Sequence, residues 1–90
     1  MIDFRVCSHD TQKGLDKWLN IAKKIKEIFS QEVELKPFKN FIEEEALCSI
    51  DDFKPDIYYA RFDISLLLLE KHYKLIGRFK NKNDVFWLLD

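Results

Sequence analysis

Glycine, proline, cysteine and methionine are all scarce in this 90-residue chain, numbering two, two, two and one. With glycine only at positions 14 and 77, neither a P-loop nor a G-x-G-x-x-G phosphate cradle can be written in it. Cys7 and Cys48 are too few and too differently placed for a disulfide framework, and both read as buried, reduced thiols. No apolar run nears the roughly 20 residues a bilayer demands, and the segment from Ile64 to Leu69 falls far short. Charge of one sign is lacking too, since 15 Lys and Arg offset 16 Asp and Glu and leave a net charge of -1. That balance speaks against nucleic acid as a partner, because phosphate backbones select a basic excess gathered on one face. The one dense basic run, Lys23, Lys24 and Lys26, sits on a helix whose other face is apolar and reads as a solvated face. The opening MIDFRVCS carries no charged leader, apolar h-region or small-residue cleavage site. As it stands the chain is expected to be cytoplasmic, or periplasmic if a targeting segment has been removed.

What the chain has in plenty is apolar residues, 47% of the total with 14% aromatic. That suffices for a packed core, too much for disorder, and at this length it means one domain, residues 1–90. Ile2 to Cys7 alternates as a strand with one better-buried face, and Ser8, His9, Asp10 and Thr11 suit a turn and N-cap. Leu15, Trp18, Leu19, Ala22, Ile25, Ile28 and Phe29 then recur at helical spacing over about 18 residues, a stripe that reads as sheet-packing surface. Val33 to Lys36 is a short strand stopped by Pro37. Phe38 to Ile50 reads as a helix with Phe41, Ile42, Ala46 and Leu47 inward and Glu43, Glu44 and Glu45 outward. Consecutive helical positions fan apart by about 100°, so that Glu triplet cannot converge into a metal or acid-base site and reads as solvated. Asp51 to Pro55 is a loop, Asp56 to Ala60 a strand, Asp63 to Lys71 a helix and Tyr73 to Phe79 a strand. Lys80 to Asp84 follows as a polar turn, and Val85 to Leu89 as an almost wholly apolar fifth strand.

This alternation predicts an α/β domain: a small, mostly parallel sheet of about five strands with three helices, in the order β-α-β-α-β-α-β-β. In such sheets ligands gather beyond the carboxyl ends of the strands, where strand order reverses. Ser8 to Thr11, Pro37 to Asn40 and Ala60 to Asp63 fall on that rim. Helix N-termini there expose unpaired N–H groups, to which Ser8, Thr11 and Asn40 could add side-chain donors and Arg61 a planar cation suited to an oxyanion.

The segment DIYYARFDISLLLLEKHYKLIGRF, preceded by VCSHDT, a Trp-bearing helix and VELKPF, resembles the first lobe of phosphate- and phosphonate-type periplasmic substrate-binding proteins. The resemblance implies half of a two-lobed binding fold, with a small oxyanion contacted by the turns after the first and third strands. Carried over residue by residue, the contacts are Ser8, His9, Tyr59, Ala60 and Arg61, with Phe38 by the second turn. Two departures stand out: Arg61 and Phe62 replace the small polar residues usual after the third strand, and the second lobe is absent. A single lobe leaves its ligand open to water. The resemblance therefore implies a fragment, or a lobe reused as a sensory or dimerisation module in a signalling or transport-related protein.

Chemistry of other kinds finds little purchase. Cys7 and His9 stand two apart but have no orienting group or oxyanion hole, so the chain is not expected to be an enzyme. Cys7, His9 and Asp10 lack the second Cys/His cluster of a closed zinc site, and neither metal nor cofactor is expected. His72 reads as a charge capping the end of the third helix. Two readings follow. One is a sensory module binding a small oxyanion such as phosphate or a phosphonate through Ser8, His9, Thr11, Phe38, Tyr59, Ala60 and Arg61. The other is a non-catalytic interaction module with no small ligand, self-associating through an exposed helix face or through Val85–Leu89 as an edge strand. For the final strand the alternative is that Trp87 packs beneath a helix.

Overall fold

The computed structural model describes residues 1–78 and 85–89. Eight elements follow one another: β1 (Ile2–Val6), α1 (Ser8–Phe29), β2 (Val33–Leu35), α2 (Phe41–Cys48), β3 (Ile57–Ala60), α3 (Phe62–Glu70), β4 (Tyr73–Arg78) and β5 (Val85–Leu89). The expected α/β order of five strands and three helices is the one observed. The polar turn at 80–84 and the last residue of the expected fourth strand lie outside the described residues.

The strands form one sheet in the order β2-β1-β3-β5-β4. β1 pairs in parallel with β2 and β3, while β5 pairs antiparallel with both β3 and β4. Two reversals restore direction, so β4 runs with β1, β2 and β3, and β5 alone runs against them. The β3-α3-β4 crossover thus leaves a gap one strand wide, which β5 fills from the other end. Val85–Leu89 is therefore not an edge strand, and the expected pairing of two copies through it is overturned. Its almost continuous apolar run suits an interior strand, with Trp87 buried under the helices of one face and Phe86 and Leu88 half-buried on the other. Trp87 is buried among Ile64, Leu68, Tyr58 and Tyr73, the helix-packed alternative. The true edges are blunted: β2 has three residues, and β4 carries a register shift between Leu75 and Gly77 together with an exposed Lys74.

The two faces of the sheet hold separate cores. Over one lies α1, whose Trp18 and Ala22 pack on Ile2, Phe4, Val6, Ile57 and Tyr59. Over the other lie α2 and α3, with Phe38, Cys48, Ile64 and Leu68 against Tyr58, Ala60, Tyr73 and Trp87. Adjacent residues of β3 alternate between them, so Tyr58 and Tyr59 serve opposite cores.

Helices α1 and α2 depart from expectation. The predicted turn Ser8–Thr11 is the first turn of α1: the amides of Asp10 and Thr11 both donate to Cys7 O, at 3.1 and 3.3 Å. The helix breaks at Gly14, whose ψ of 72° leaves the helical range. Of the predicted stripe, Leu15, Leu19, Ile28 and Phe29 are exposed, because the 22-residue helix, broken at Gly14 and longer than the strands it crosses, buries only Ser8, Thr11, Trp18 and Ala22. On α2 Phe41 and Leu47 face inward and Glu45 outward as expected, but Glu44, Ile42 and Ala46 are reversed. Glu44 is 0% exposed whereas Ile42 is 79% exposed, and Ala46 faces outward too. The buried stripe runs Phe41, Glu44, Leu47 and Cys48, at helical spacing. α2 begins at Phe41 rather than Phe38, with Asn40 as its N-cap accepting from the Glu43 amide at 2.9 Å.

Candidate functional site

The carboxyl ends of β1 and β3 lie side by side, since Val6 pairs with Tyr59 and the Cys7 amide donates to Tyr59 O at 2.9 Å. α1 leaves this point over one face and α2 approaches it over the other, which makes it the place where strand order reverses. The Ser8 amide at the start of α1, the place of the expected anion contact, is occupied by the chain itself. Glu44 Oε1 accepts from the Ser8 amide at 2.9 Å, and its Oε2 accepts from the Tyr58 hydroxyl at 2.5 Å. An acidic side chain takes the exposed N–H that a phosphate would take, at the positive end of the helix. One carboxyl group joins α1, α2 and β3.

The predicted site residues do not converge on one pocket. Ser8 and Thr11 are buried, with Thr11 Oγ1 donating back to Ser8 O at 3.2 Å, while His9 is exposed. Tyr59 is a core residue, its ring 4.6 Å from those of both Trp18 and Phe86. Phe38 lies across the sheet from it, against Tyr58 at 5.8 Å and Phe53 at 6.1 Å. Ala60 is fully buried. Arg61 places its guanidinium carbon 3.8 Å from the centre of the Phe41 ring. Asn40 acts as an acceptor in its cap rather than as a donor to a ligand. Nor do Cys7 and His9 form a pair, because Cys7 Sγ donates to Asp10 Oδ2 at 2.5 Å. His72 is exposed and adopts a left-handed φ of 69° one residue past the α3 cap, its amide donating to Leu69 O at 3.1 Å.

Sequence reasoning missed Glu44. Its signal was positional, three residues after Phe41 and four before Cys48, which puts a carboxyl group on the apolar stripe rather than in a solvated triplet. Around it the groups are held neutral. Burial, then the neighbouring Cys48 and Glu44, push the Tyr58 hydroxyl far above its ordinary value, and burial pushes up the Cys48 thiol. Burial likewise raises Tyr73, whose hydroxyl donates to Pro55 O. Among the described residues no group of three or more His, Cys, Asp or Glu could hold a metal ion. Among the described residues no helix is long and apolar enough to cross a membrane.

These raised values predict a pH dependence. A phenol in the unfolded chain loses its proton near pH 10, about where an ordinary tyrosine does, whereas Tyr58 and Tyr73 keep theirs in the fold. Above that pH the unfolded state binds fewer protons than the native one, so stability falls as pH rises, by about 1.4 kcal/mol per pH unit for each group. Urea titrations should show no contribution from the phenols below about pH 9 and a steep loss above about pH 10. Tyr58→Phe should make that loss shallower by one group.

A second surface is not a rim but a flank. α1 covers β2, β1 and β3, and beyond it the same face of the sheet carries no helix over β5 and β4 among the described residues. Between α1 and β5 runs an open groove of about 560 Å³, lined by Lys17, Asn20, Ile21, Lys24 and Phe86. Ile21 and Phe86 are half-buried, Lys17 and Lys24 are exposed, and Lys17 Nζ lies 5.5 Å from the centre of the Trp18 ring. Ile28, 75% exposed, continues this flank at helical spacing from Ile21 and Lys24. No protein-family model, curated protein or solved structure matches this chain.

Proposed function

We propose that this domain is a non-catalytic interaction module, and that the groove between α1 and β5 receives an apolar segment flanked by acidic residues. The observation that carries this reading is the uncovered flank of the sheet, apolar at Ile21 and Phe86 and lined by Lys17 and Lys24. Apolar surface at the floor supplies affinity, and the lysines supply orientation and sign preference. The shortness of β2 and the register shift and Lys74 of β4 disfavour strand addition at the two edges.

A titration of the labelled chain with a helical model peptide, a leucine stripe flanked by glutamates, tests it by amide chemical shift. Resonances of residues 20–24 and 85–87 should move, and a lysine-flanked version of the peptide should leave them still. Equal response to both peptides, or none, sinks the reading.

The oxyanion-sensing reading is supported by one observation, that α1 already holds an acidic side chain on its first amide. In that reading, which rests on the resemblance to phosphate- and phosphonate-binding lobes, a free oxyanion displaces Glu44. Phosphate added to the same labelled sample discriminates, because it would shift Ser8, Thr11 and Tyr58 and spare the groove.

A further inference from the structure

The near-zero net charge conceals a segregation. Residues 41–52, FIEEEALCSIDD, contain five acids and no Lys or Arg, while α1 bears Lys13, Lys17, Lys23, Lys24 and Lys26. With Glu44 buried, the outer surface of α2 presents exposed Ile42 and Ala46 one turn apart, with Glu43 and Glu45 on either side. Beyond the helix end, Ile50 is 51% exposed and is followed by exposed Asp51 and Asp52. This is an apolar ridge with acidic flanks, complementary in sign and polarity to the apolar groove with lysines at Lys17 and Lys24.

We propose that the occupant of the α1–β5 groove is the α2 ridge of a second copy of this chain, an inference that rests on the groove being an interaction surface. A helix of eight residues is about 12 Å long, short enough to lie along α1, about 33 Å in length. Ile42 and Ala46 meet Ile21 and Phe86, and Glu45 meets Lys17 or Lys24. The two surfaces lie on opposite faces of the sheet, so a copy cannot fill its own groove. A twofold pair cannot satisfy both contacts at once either. The contact is head-to-tail, and each copy that docks offers a fresh groove to the next.

Sedimentation equilibrium of the whole chain, from micromolar to near-millimolar protein, tests this without any substitution. The average mass should climb past that of a dimer and fall back as salt is added, since screening weakens exposed charge pairs. Two variants then assign the surfaces, both at exposed positions and both checked for folding by circular dichroism: Lys17→Glu with Lys24→Glu, and Ile42→Asp, whose added acid is repelled by the first variant's groove. Each should weaken self-association by about tenfold or more. Mixed together, they should form a one-to-one complex that grows no further, because one keeps its ridge and the other its groove. A wild-type chain that stays monomeric throughout overturns the proposal, as does growth that both variants leave intact. If the monomer nevertheless binds the glutamate-flanked peptide, the interaction surface stands and only its occupant is wrong.

Discussion

Replacing Glu44 with Leu should cost about 3 kcal/mol, although the substitution puts an apolar side chain into an apolar setting. The loss comes from the partners left behind. Glu44 is the acceptor for the Ser8 amide at 2.9 Å and for the Tyr58 hydroxyl at 2.5 Å. A buried donor deprived of its acceptor costs about 1–3 kcal/mol, and leucine deprives two, against which its own burial gains back part. Chemical denaturation should therefore show a lower midpoint with an unchanged slope, and the melting temperature should drop by more than about 10 °C. Glu44→Gln keeps one acceptor oxygen and should lose about half as much.

A double-mutant cycle separates this account from mere loss of packing. Tyr58→Phe removes the hydroxyl that Glu44→Leu would strand, so the pair should cost less than the sum of the singles by about 1 kcal/mol or more. Running the cycle in a Cys48→Ala background removes the thiol whose Sγ, 3.3 Å from that hydroxyl, would otherwise take over as a weak acceptor. Strict additivity would mean that the short bond to Tyr58 contributes nothing, and that Glu44 acts through α1 alone.

The residues that could and could not be read in advance divide along a physical line. Periodicity located every element, because alternation at Ile2, Phe4 and Val6 and the run through Ile64, Leu67 and Leu68 are local facts about burial. What failed was non-local. Nothing near Val85 tells it that a crossover 20 residues earlier has left a gap beside β3, so its apolar run alone suits an edge in need of a partner as well as a strand packed beneath a helix. Glu44 was read as solvated because consecutive carboxylates usually are, yet its position on the stripe from Phe41 to Cys48 meets the one amide and one phenol able to receive it. The expectation that the rim residues share one site meets a sheet with two faces. β3 sends Tyr59 to the α1 core while Phe38 packs in the other, and alternation along a strand forbids them from sharing a cavity.

Trp18→Ala should be the most damaging single truncation in the α1 core, at about 3–5 kcal/mol, near half the stability expected of a domain this size. Trp18 is 2% exposed, and its ring lies 6.3, 4.6 and 6.1 Å from those of Phe4, Tyr59 and Phe86. It is therefore the contact through which α1 holds β1, β3 and β5 together. Leu19, next along the predicted stripe but 43% exposed, should cost under about 1 kcal/mol as alanine. The pair tests the helix's rotation: equal losses in urea denaturation would put the buried face where periodicity alone had put it. The same substitution reaches the groove, since Trp18 supports Phe86 from beneath and lies under the Lys17 ammonium. Trp18→Phe, which keeps a ring there at a cost of about 1–2 kcal/mol, should leave peptide binding measurable. Binding that survives Trp18→Phe but weakens in proportion to the lost ring area would tie the flank's recognition to the core that shapes it.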